Sequence, residues 1–247
     1  MSIIETNRRR IGRRPVARRL ASPAIGSLDR ALVAAIRATA RGDLLDAGCG
    51  SMPYRGVIER YAASYDGLDI EARSDRVRYL CSVTEMSPVQ SASYDTVLCS
   101  EVLEHVSDPQ AAVAEIARVL RPGGTLILSV PFLSRLHEEP HDYFRYTRNG
   151  LRSLLLSADL RIDSVEPIGS VGGFIGHQIA SALVGTTWHI PLLKWVVLGF
   201  TAAAVTLPCI MIDRLLSPIH HKLPLGYVVV AHNPEEDDPD GAQSRRL

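Results

Sequence analysis

Two stretches of the chain carry residue types at spacings that chemistry can use. The first is Asp43-Leu44-Leu45-Asp46-Ala47-Gly48-Cys49-Gly50-Ser51, an apolar run that enters a turn with glycines at alternate positions. Glycine lets the backbone bend sharply and approach a ligand closely, because no Cβ intervenes. In open α/β sheets such turns lie in the crevice beyond the carboxyl ends of the strands, where ligands bind. A dinucleotide site would need G-x-G-x-x-G with a pyrophosphate on the next helix, but the third position here is Pro53. The Asp46 carboxylate would also repel a pyrophosphate, whereas it can accept hydrogen bonds from a cationic amino-acid group. Asp69 follows about 20 residues later at the end of Tyr65-Asp66-Gly67-Leu68-Asp69, placed to accept from two ribose hydroxyls. That second acid suits either nucleotide class. The first acid and the missing glycine argue against a nicotinamide-dependent oxidoreductase.

The second stretch is His137-Glu138-Glu139-Pro140-His141-Asp142-Tyr143-Phe144-Arg145-Tyr146-Thr147. It contains H-E-x-x-H, which binds zinc in proteases when both histidines lie one turn apart on a continuous helix. Pro140 disfavours helical geometry at Glu139, and no third histidine follows at the required spacing. No metal is therefore expected. A pocket is the better reading: carboxylates and aromatic faces stabilise a nearby cation. His137 or His141 could remove a proton from an acceptor, since imidazole titrates near neutrality. Asp142 and Tyr143 complete the candidate acceptor site. The competing reading is a loop whose Tyr143, Phe144 and Tyr146 simply pack on the sheet.

Both stretches need a scaffold. Leu28, Leu32, Ala35 and Ile36 recur at helical spacing between Ser27 and about Arg41, with Gly42 placed to close the helix. Strands are expected at 43–47, 65–70, 77–81, 96–100, 125–131, 160–166 and 227–231. Solid apolar runs such as Leu126-Ile127-Leu128 point to strands covered on both faces. Between two of them Asp108 can cap a helix that begins with Pro109 and carries Ala112, Val113, Ile116, Val119 and Leu120 on one stripe, with Gly123-Gly124 as its stop. Alternating strands and helices imply a mostly parallel sheet with right-handed crossovers. Thr147 is placed to cap a further helix carrying Leu151, Leu154 and Leu155.

Four blocks now stand in order: Leu-Leu-Asp-Ala-Gly-Cys-Gly at 44–50, Gly-Leu-Asp-Ile at 67–70, Tyr-Asp-Thr-Val-Leu-Cys-Ser-Glu-Val-Leu-Glu-His-Val at 94–106, and Arg-Val-Leu-Arg-Pro-Gly-Gly-Thr-Leu at 118–126. In these, the chain resembles the class I S-adenosylmethionine-dependent methyltransferases, specifically a type-11-like methyltransferase domain, over roughly residues 43–166. The resemblance implies an α/β, Rossmann-like, seven-stranded, mostly parallel sheet whose last strand is antiparallel. It also implies S-adenosylmethionine as cofactor, with Asp46, Gly48, Cys49 and Gly50 at its methionine portion. Asp69 would hold the ribose, Ile70 and Val83 would lie by the adenine, and Ser100 and Glu101 would line the methyl-bearing centre. The family often carries an acid for the adenine amino group where this chain has Ser82; Glu85 or the Val83-Thr84 backbone would have to replace it. His105 belongs to the family's Leu-Glu-His block and is read as shaping the loop. Methyl transfer asks mainly for alignment and exclusion of water, so the absence of an obvious strong base does not oppose catalysis. The alternative is a non-catalytic cofactor-binding or scaffold protein that keeps the fold.

The chain has 247 residues, 27 basic and 27 acidic side chains and 46% hydrophobic residues, values that exclude a largely disordered chain and give no global field toward nucleic acid. Four cysteines without C-x-x-C pairing argue against a zinc ribbon or a disulfide framework. No signal peptide is evident, and a cytoplasmic protein is expected. Residues 1–20 contain seven arginines, and Glu235, Glu236, Asp237, Asp238 and Asp240 crowd the tail, so a basic arm (1–26) and an acidic tail (233–247) should flank a domain at 27–232. Between Glu166 and Asp213 only Lys194 is fully charged. An apolar helical insertion (171–223) is therefore expected between strands 6 and 7. Both of its ends must return to one sheet, which excludes a single membrane crossing. Trp188 and Trp195 flank the junction between its two halves, and Pro191 and Pro208 should break or kink it. Residues 171–216 and the arginine arm thus suggest peripheral or monotopic membrane contact, or else a homodimer interface, and a small-molecule or lipid-linked acceptor.

Overall fold

The computed structural model describes residues 23–74, 76–187, 189–190, 193–209, 211 and 223–235. The arginine arm, Trp188, Pro191 and the acidic residues beyond Glu235 lie outside the described residues. The elements run α1 (Pro23–Thr39), β1 (Asp43–Ala47), α2 (Arg55–Ile58), β2 (Ser64–Asp69), β3 (Val77–Leu80), β4 (Tyr94–Ser100), a 3-10 turn (Leu103–His105), α3 (Pro109–Val119) and β5 (Leu120–Pro131). There follow α4 (Arg148–Leu156), β6 (Arg161–Ile168), α5 (Val171–Thr187), α6 (Leu193–Thr201) with a π-helical continuation (Ala202–Thr206), and β7 (Gly226–His232).

The seven strands form one sheet in the order β3-β2-β1-β4-β5-β7-β6, and the pairs from β3 to β5 are parallel. The end strand pairs run the other way. Phe132 N, just past β5, donates to Leu225 O at the entrance of β7 (2.8 Å), while Asn233 N at its exit donates to Gly124 O near the start of β5 (2.9 Å). Leu225 N likewise meets Ile168 O at the end of β6 (2.8 Å), and His232 meets Asp163 near its start. β7 is thus antiparallel to both neighbours, as the resemblance implied.

The parallel strands are solidly apolar because they are covered on both faces. Leu44, Leu45, Leu68, Val97, Leu98, Leu126, Ile127 and Leu128 are fully buried, each such side chain contributing about 1.5–3 kcal/mol. Asp108 caps α3 by accepting from Ala111 N (3.0 Å), with Pro109 in the first turn, and Ala112, Val113, Ile116 and Val119 are its buried stripe. Thr147 caps α4 through Gly150 N (3.1 Å), and Leu151 and Leu155 face inward.

One expected boundary moves. α3 ends at Val119, and Gly123 and Gly124 lie inside β5 instead of stopping the helix. Asn233 explains this: its backbone pairs with Gly123 and Gly124, and its Nδ2 donates to Leu120 O (3.1 Å). Strand pairing from more than a hundred residues away therefore captures the segment that local signals assign to a turn.

The chain forms two compact units. One holds Val33–Val130 and Leu136–Val165 with the chain from Val228, and includes the parallel strands and both chemically suggestive stretches. The other holds Pro131–Arg135, the described residues of Glu166–Tyr227, and Pro23–Leu32. In the second unit α5 and α6 occupy the expected apolar insertion, and Ile175, Ile179, Trp195, Val196, Phe200, Leu207 and Met211 are exposed. No helix among the described residues is long and apolar enough to cross a membrane.

Candidate functional site

The site grows from the carboxyl ends of β1, β2 and β4. Parallel register fixes the first two ends side by side, Asp46 opposite Gly67 and Ala47 opposite Leu68. The chain then turns: Gly48 N and Cys49 N both donate to Leu68 O (2.8 and 3.0 Å). Gly48 has φ +77°, and a Cβ there would collide with Val102. Gly50 has φ +53°, and a Cβ there would meet nothing within 4 Å. The two glycines therefore do different work: the first permits close packing, and the second borders open space.

Two buried carboxylates stand at the carboxyl ends of β1 and β2, and Asp69 is held to Gly50 N. Asp46 is 3% exposed and Asp69 7%. Asp46 Oδ2 accepts from the Tyr65 hydroxyl (2.7 Å). Burial pushes the Asp46 carboxyl up to about 7, against the Tyr65 hydrogen bond, with the Asp69 charge adding to the rise. Asp69 braces the turn from the other side, accepting from Gly50 N (2.8 Å) and Glu71 N (3.0 Å). A buried carboxylate with its charge this poorly compensated suits a cationic ligand. Next to Asp69, Ile70 is 65% exposed.

Cys49 is 3% exposed and Val83 6%, as buried as the two carboxylates. Burial pushes the Cys49 thiol up to about 12, which removes it as a thiolate nucleophile. Ser82, standing where the family often has an acid, is engaged locally: its hydroxyl lies 2.8 Å from the Thr84 hydroxyl and accepts from Thr84 N (3.2 Å).

Past β4, Ser100 and Glu101 are tied to β5. The Ser100 and Ser129 hydroxyls lie 3.0 Å apart, Ser129 Oγ donates to Glu101 Oε1 (3.2 Å), and Glu101 N donates to Ser129 O (3.0 Å). Glu101 has φ +55°, a left-handed conformation uncommon for a residue with a Cβ.

The histidine-rich loop docks on the 3-10 turn. Tyr143 N and Phe144 N donate to Glu104 O (2.8 and 3.3 Å), and the Tyr146 hydroxyl donates to Leu103 O (3.0 Å). Residues 137–141 are not helical, so the zinc-protease arrangement is excluded. Asp142 accepts from His137 N (2.8 Å) and forms a fork with the Arg145 guanidinium at 2.6 and 2.7 Å. That guanidinium holds the Asp142 carboxyl well below its usual range, at about 2. His141 Nδ1 lies 3.1 Å from the Tyr143 hydroxyl, and Tyr143 is 47% exposed. The structure therefore brings His137, Asp142 and Arg145 together, and pairs His141 with Tyr143 separately.

Sequence reasoning missed Tyr65, which holds Asp46, and Glu104, whose carboxyl is fully buried with neither oxygen hydrogen-bonded. Burial first, then the nearby Glu101 charge, raises that carboxyl well above its ordinary range. A separate polar depression of about 420 Å³, lined by Asp43, Ser64, Asp66, Tyr79 and Tyr94, lies at the amino ends of the strands. It is remote from the carboxyl-end crevice where such sheets bind ligands.

Residues 45–128 match the family described as "Methyltransferase domain". A Paracidovorax citrulli (strain AAC00-1) protein named ubiquinone biosynthesis O-methyltransferase is 34% identical over 100 residues, 35% of this chain and 42% of that protein. The chain thus spans less than half the length of the curated relatives it matches. Among solved structures, a Burkholderia thailandensis 1,6-didemethyltoxoflavin-N1-methyltransferase with bound S-adenosylhomocysteine is similar at a TM-score of 0.51 and 18% identity, over 83% of this chain and 78% of that one. The [4+2]-cyclase SpnF is similar at a TM-score of 0.52 and 21% identity, over 83% and 80%. These structural likenesses show the fold.

Proposed function

Since residues 45–128 match a methyltransferase domain, we propose that the chain is a class I S-adenosylmethionine-dependent methyltransferase and transfers a methyl group from S-adenosylmethionine to a small, apolar or lipid-linked acceptor. The observation that carries this reading is the pair of buried carboxylates, Asp46 and Asp69, at the carboxyl ends of adjacent strands, with Asp69 held to Gly50. An ammonium at Asp46 would supply the positive charge that this buried group lacks. Asp69, with each oxygen already accepting one backbone N–H, keeps lone pairs for ribose hydroxyls. The exposed Ile70 would pack on the adenine ring, with the backbone of Val83 and Thr84 beyond it.

The cofactor, when bound, supplies an electrophilic methyl group on a sulfonium. The protein's part is to align an acceptor with it and keep water out. Ser100 and Glu101, fixed to Ser129, would line that centre. Asp142 is held ionised by Arg145 and acts as a support for the loop instead of a base. His141, paired with the exposed Tyr143, is the proton acceptor the loop offers to an acceptor hydroxyl or amine.

Titration calorimetry with S-adenosylhomocysteine tests the cofactor site. Asp46→Ala and Asp69→Ala should each weaken binding at least about tenfold, the effect expected for a lost charge-assisted hydrogen bond. Unchanged affinity in both variants refutes the assignment. Incubation with methyl-labelled cofactor and either a lipid extract or an aqueous extract tests the acceptor class; label confined to water-soluble products would exclude the apolar acceptor. The exposed apolar side chains of α5, α6 and the segment to Met211 support contact with a lipid surface, a contact that co-flotation with anionic vesicles would detect.

A further inference from the structure

Both carboxylate oxygens of Glu104 are buried without a hydrogen-bond partner, and two imidazoles face one of them. His105 Nε2 lies 3.6 Å from Glu104 Oε1, and His137 Nε2 lies 3.8 Å from the same oxygen. One ligand atom from each of the three residues falls within 4.8 Å of the others. The two rings meet edge to face, with centroids 4.7 Å apart. We infer that Glu104, His105 and His137 bind a divalent first-row transition metal ion, zinc being the ion the set suits best.

The far side of each ring is prepared for this. His105 Nδ1 lies 2.7 Å from His141 O. A carbonyl only accepts, so the proton sits on Nδ1 and Nε2 presents its lone pair toward Glu104. His137 Nδ1 lies 3.5 Å from Asp142 Oδ2 and 3.5 Å from the Arg145 guanidinium. The guanidinium can only donate to Nδ1, whereas a metal on Nε2 places the proton on Nδ1, so metal binding exchanges the Arg145 contact for donation to Asp142. Metal-bound histidines almost always donate their other N–H to a carboxylate or a carbonyl, and here each has one or the other.

The donor set selects the ion class. Two imidazoles with one carboxylate suit zinc, cobalt, manganese or iron, whereas magnesium and calcium take oxygen ligands. Ligands about 2.0–2.2 Å from a tetrahedral ion stand roughly 3.3 Å apart, so each histidine needs to approach Glu104 by only a few tenths of an ångström from 3.6 and 3.8 Å. The three ligand atoms all start within 4.8 Å of one another. Entry is open, because the His105 and His137 side chains keep 18% and 32% of their surface exposed while Glu104 keeps none. Three protein ligands leave a position for water or an acceptor oxygen. The H-E-x-x-H spacing thus misleads. Its first histidine is a ligand, and its second contributes only a backbone carbonyl that orients His105.

The test uses metal alone, without methyl donor or acceptor, so it succeeds or fails independently of the proposed transferase activity. The full chain is stripped with chelator, checked for its folded circular dichroism, and titrated with Zn²⁺ and with Co²⁺, the latter followed by its visible absorption. About one ion should bind per chain. Glu104→Gln and His137→Ala, at unchanged circular dichroism, should each weaken binding more than a hundredfold. Asp142→Asn, acting through His137, should weaken it by about 10–100-fold. His232→Ala, which removes a histidine outside the cluster, should bind as the wild type does. Absence of Zn²⁺ and Co²⁺ binding by the folded wild type overturns the site, as does binding undiminished in both Glu104→Gln and His137→Ala.

Discussion

At the scale of single residues, Asp46 sets a pH dependence. Its carboxyl titrates near 7 because it is buried, so below that pH an incoming ammonium must first displace a proton. Cofactor affinity should therefore fall as pH drops from 7 toward 5.5, by up to about tenfold per unit. Calorimetry across that range would measure this, and Asp46→Asn should flatten the profile. Tyr65→Phe removes the donor that lowers this group and should move the midpoint upward. Stability without ligand responds with the opposite sign. The folded pKa lies above the unfolded value near 3.8, so folding is favoured while the group keeps its proton and is penalised as pH rises from 4 through 7. The penalty grows by about 1.4 kcal/mol per pH unit at most. Asp46→Asn should accordingly raise Tm more at pH 8 than at pH 5, as differential scanning calorimetry would show. The turn that holds Asp46, Gly48 and Gly50 was legible in the sequence because a strand followed by a tight turn is a local pattern. Tyr65 and Glu104 were not, since each acquires its role through burial, and Tyr65 through a partner on the neighbouring strand.

At the scale of elements, the strands read most faithfully where both faces are covered, and β1 has the bounds 43–47 that its apolar run suggests. The helix caps were also readable, because capping depends on neighbours three residues away. Replacing Asp108 by alanine should cost about 1 kcal/mol in chemical denaturation. What escaped was the start of β5, which is set by Asn233. Asn233→Ala removes one side-chain donor from a part-buried strand entrance. It should destabilise the chain by about 1 kcal/mol, with faster amide exchange at Gly123 and Gly124 as the diagnostic sign. The His-rich loop gave up its residue types but not its pairings, since docking on the 3-10 turn decided which histidine faces which carboxylate.

At the scale of the whole molecule, a chain with no net charge carries a concentrated run of exposed apolar side chains, with Trp195, Val196, Phe200 and Met211 each more than half exposed. The sequence flagged this region by its missing charges, but only the structure distinguishes inward from outward residues. If these side chains meet lipid, Trp195→Glu combined with Phe200→Glu should abolish vesicle flotation while leaving S-adenosylhomocysteine affinity within about twofold, the scatter of surface changes below 0.5 kcal/mol. The way this region is attached has a further consequence. Leu225 N bonds directly to Ile168 O, so the excursion leaves and rejoins the sheet at one spot, and β6 and β7 are already the two arms of a ribbon. Splicing a tight Asn-Gly reversal in place of the excursion should leave the remaining strands in register. The apolar helices are then a detachable accessory, and relatives could gain, lose or exchange such a piece without relearning how to fold.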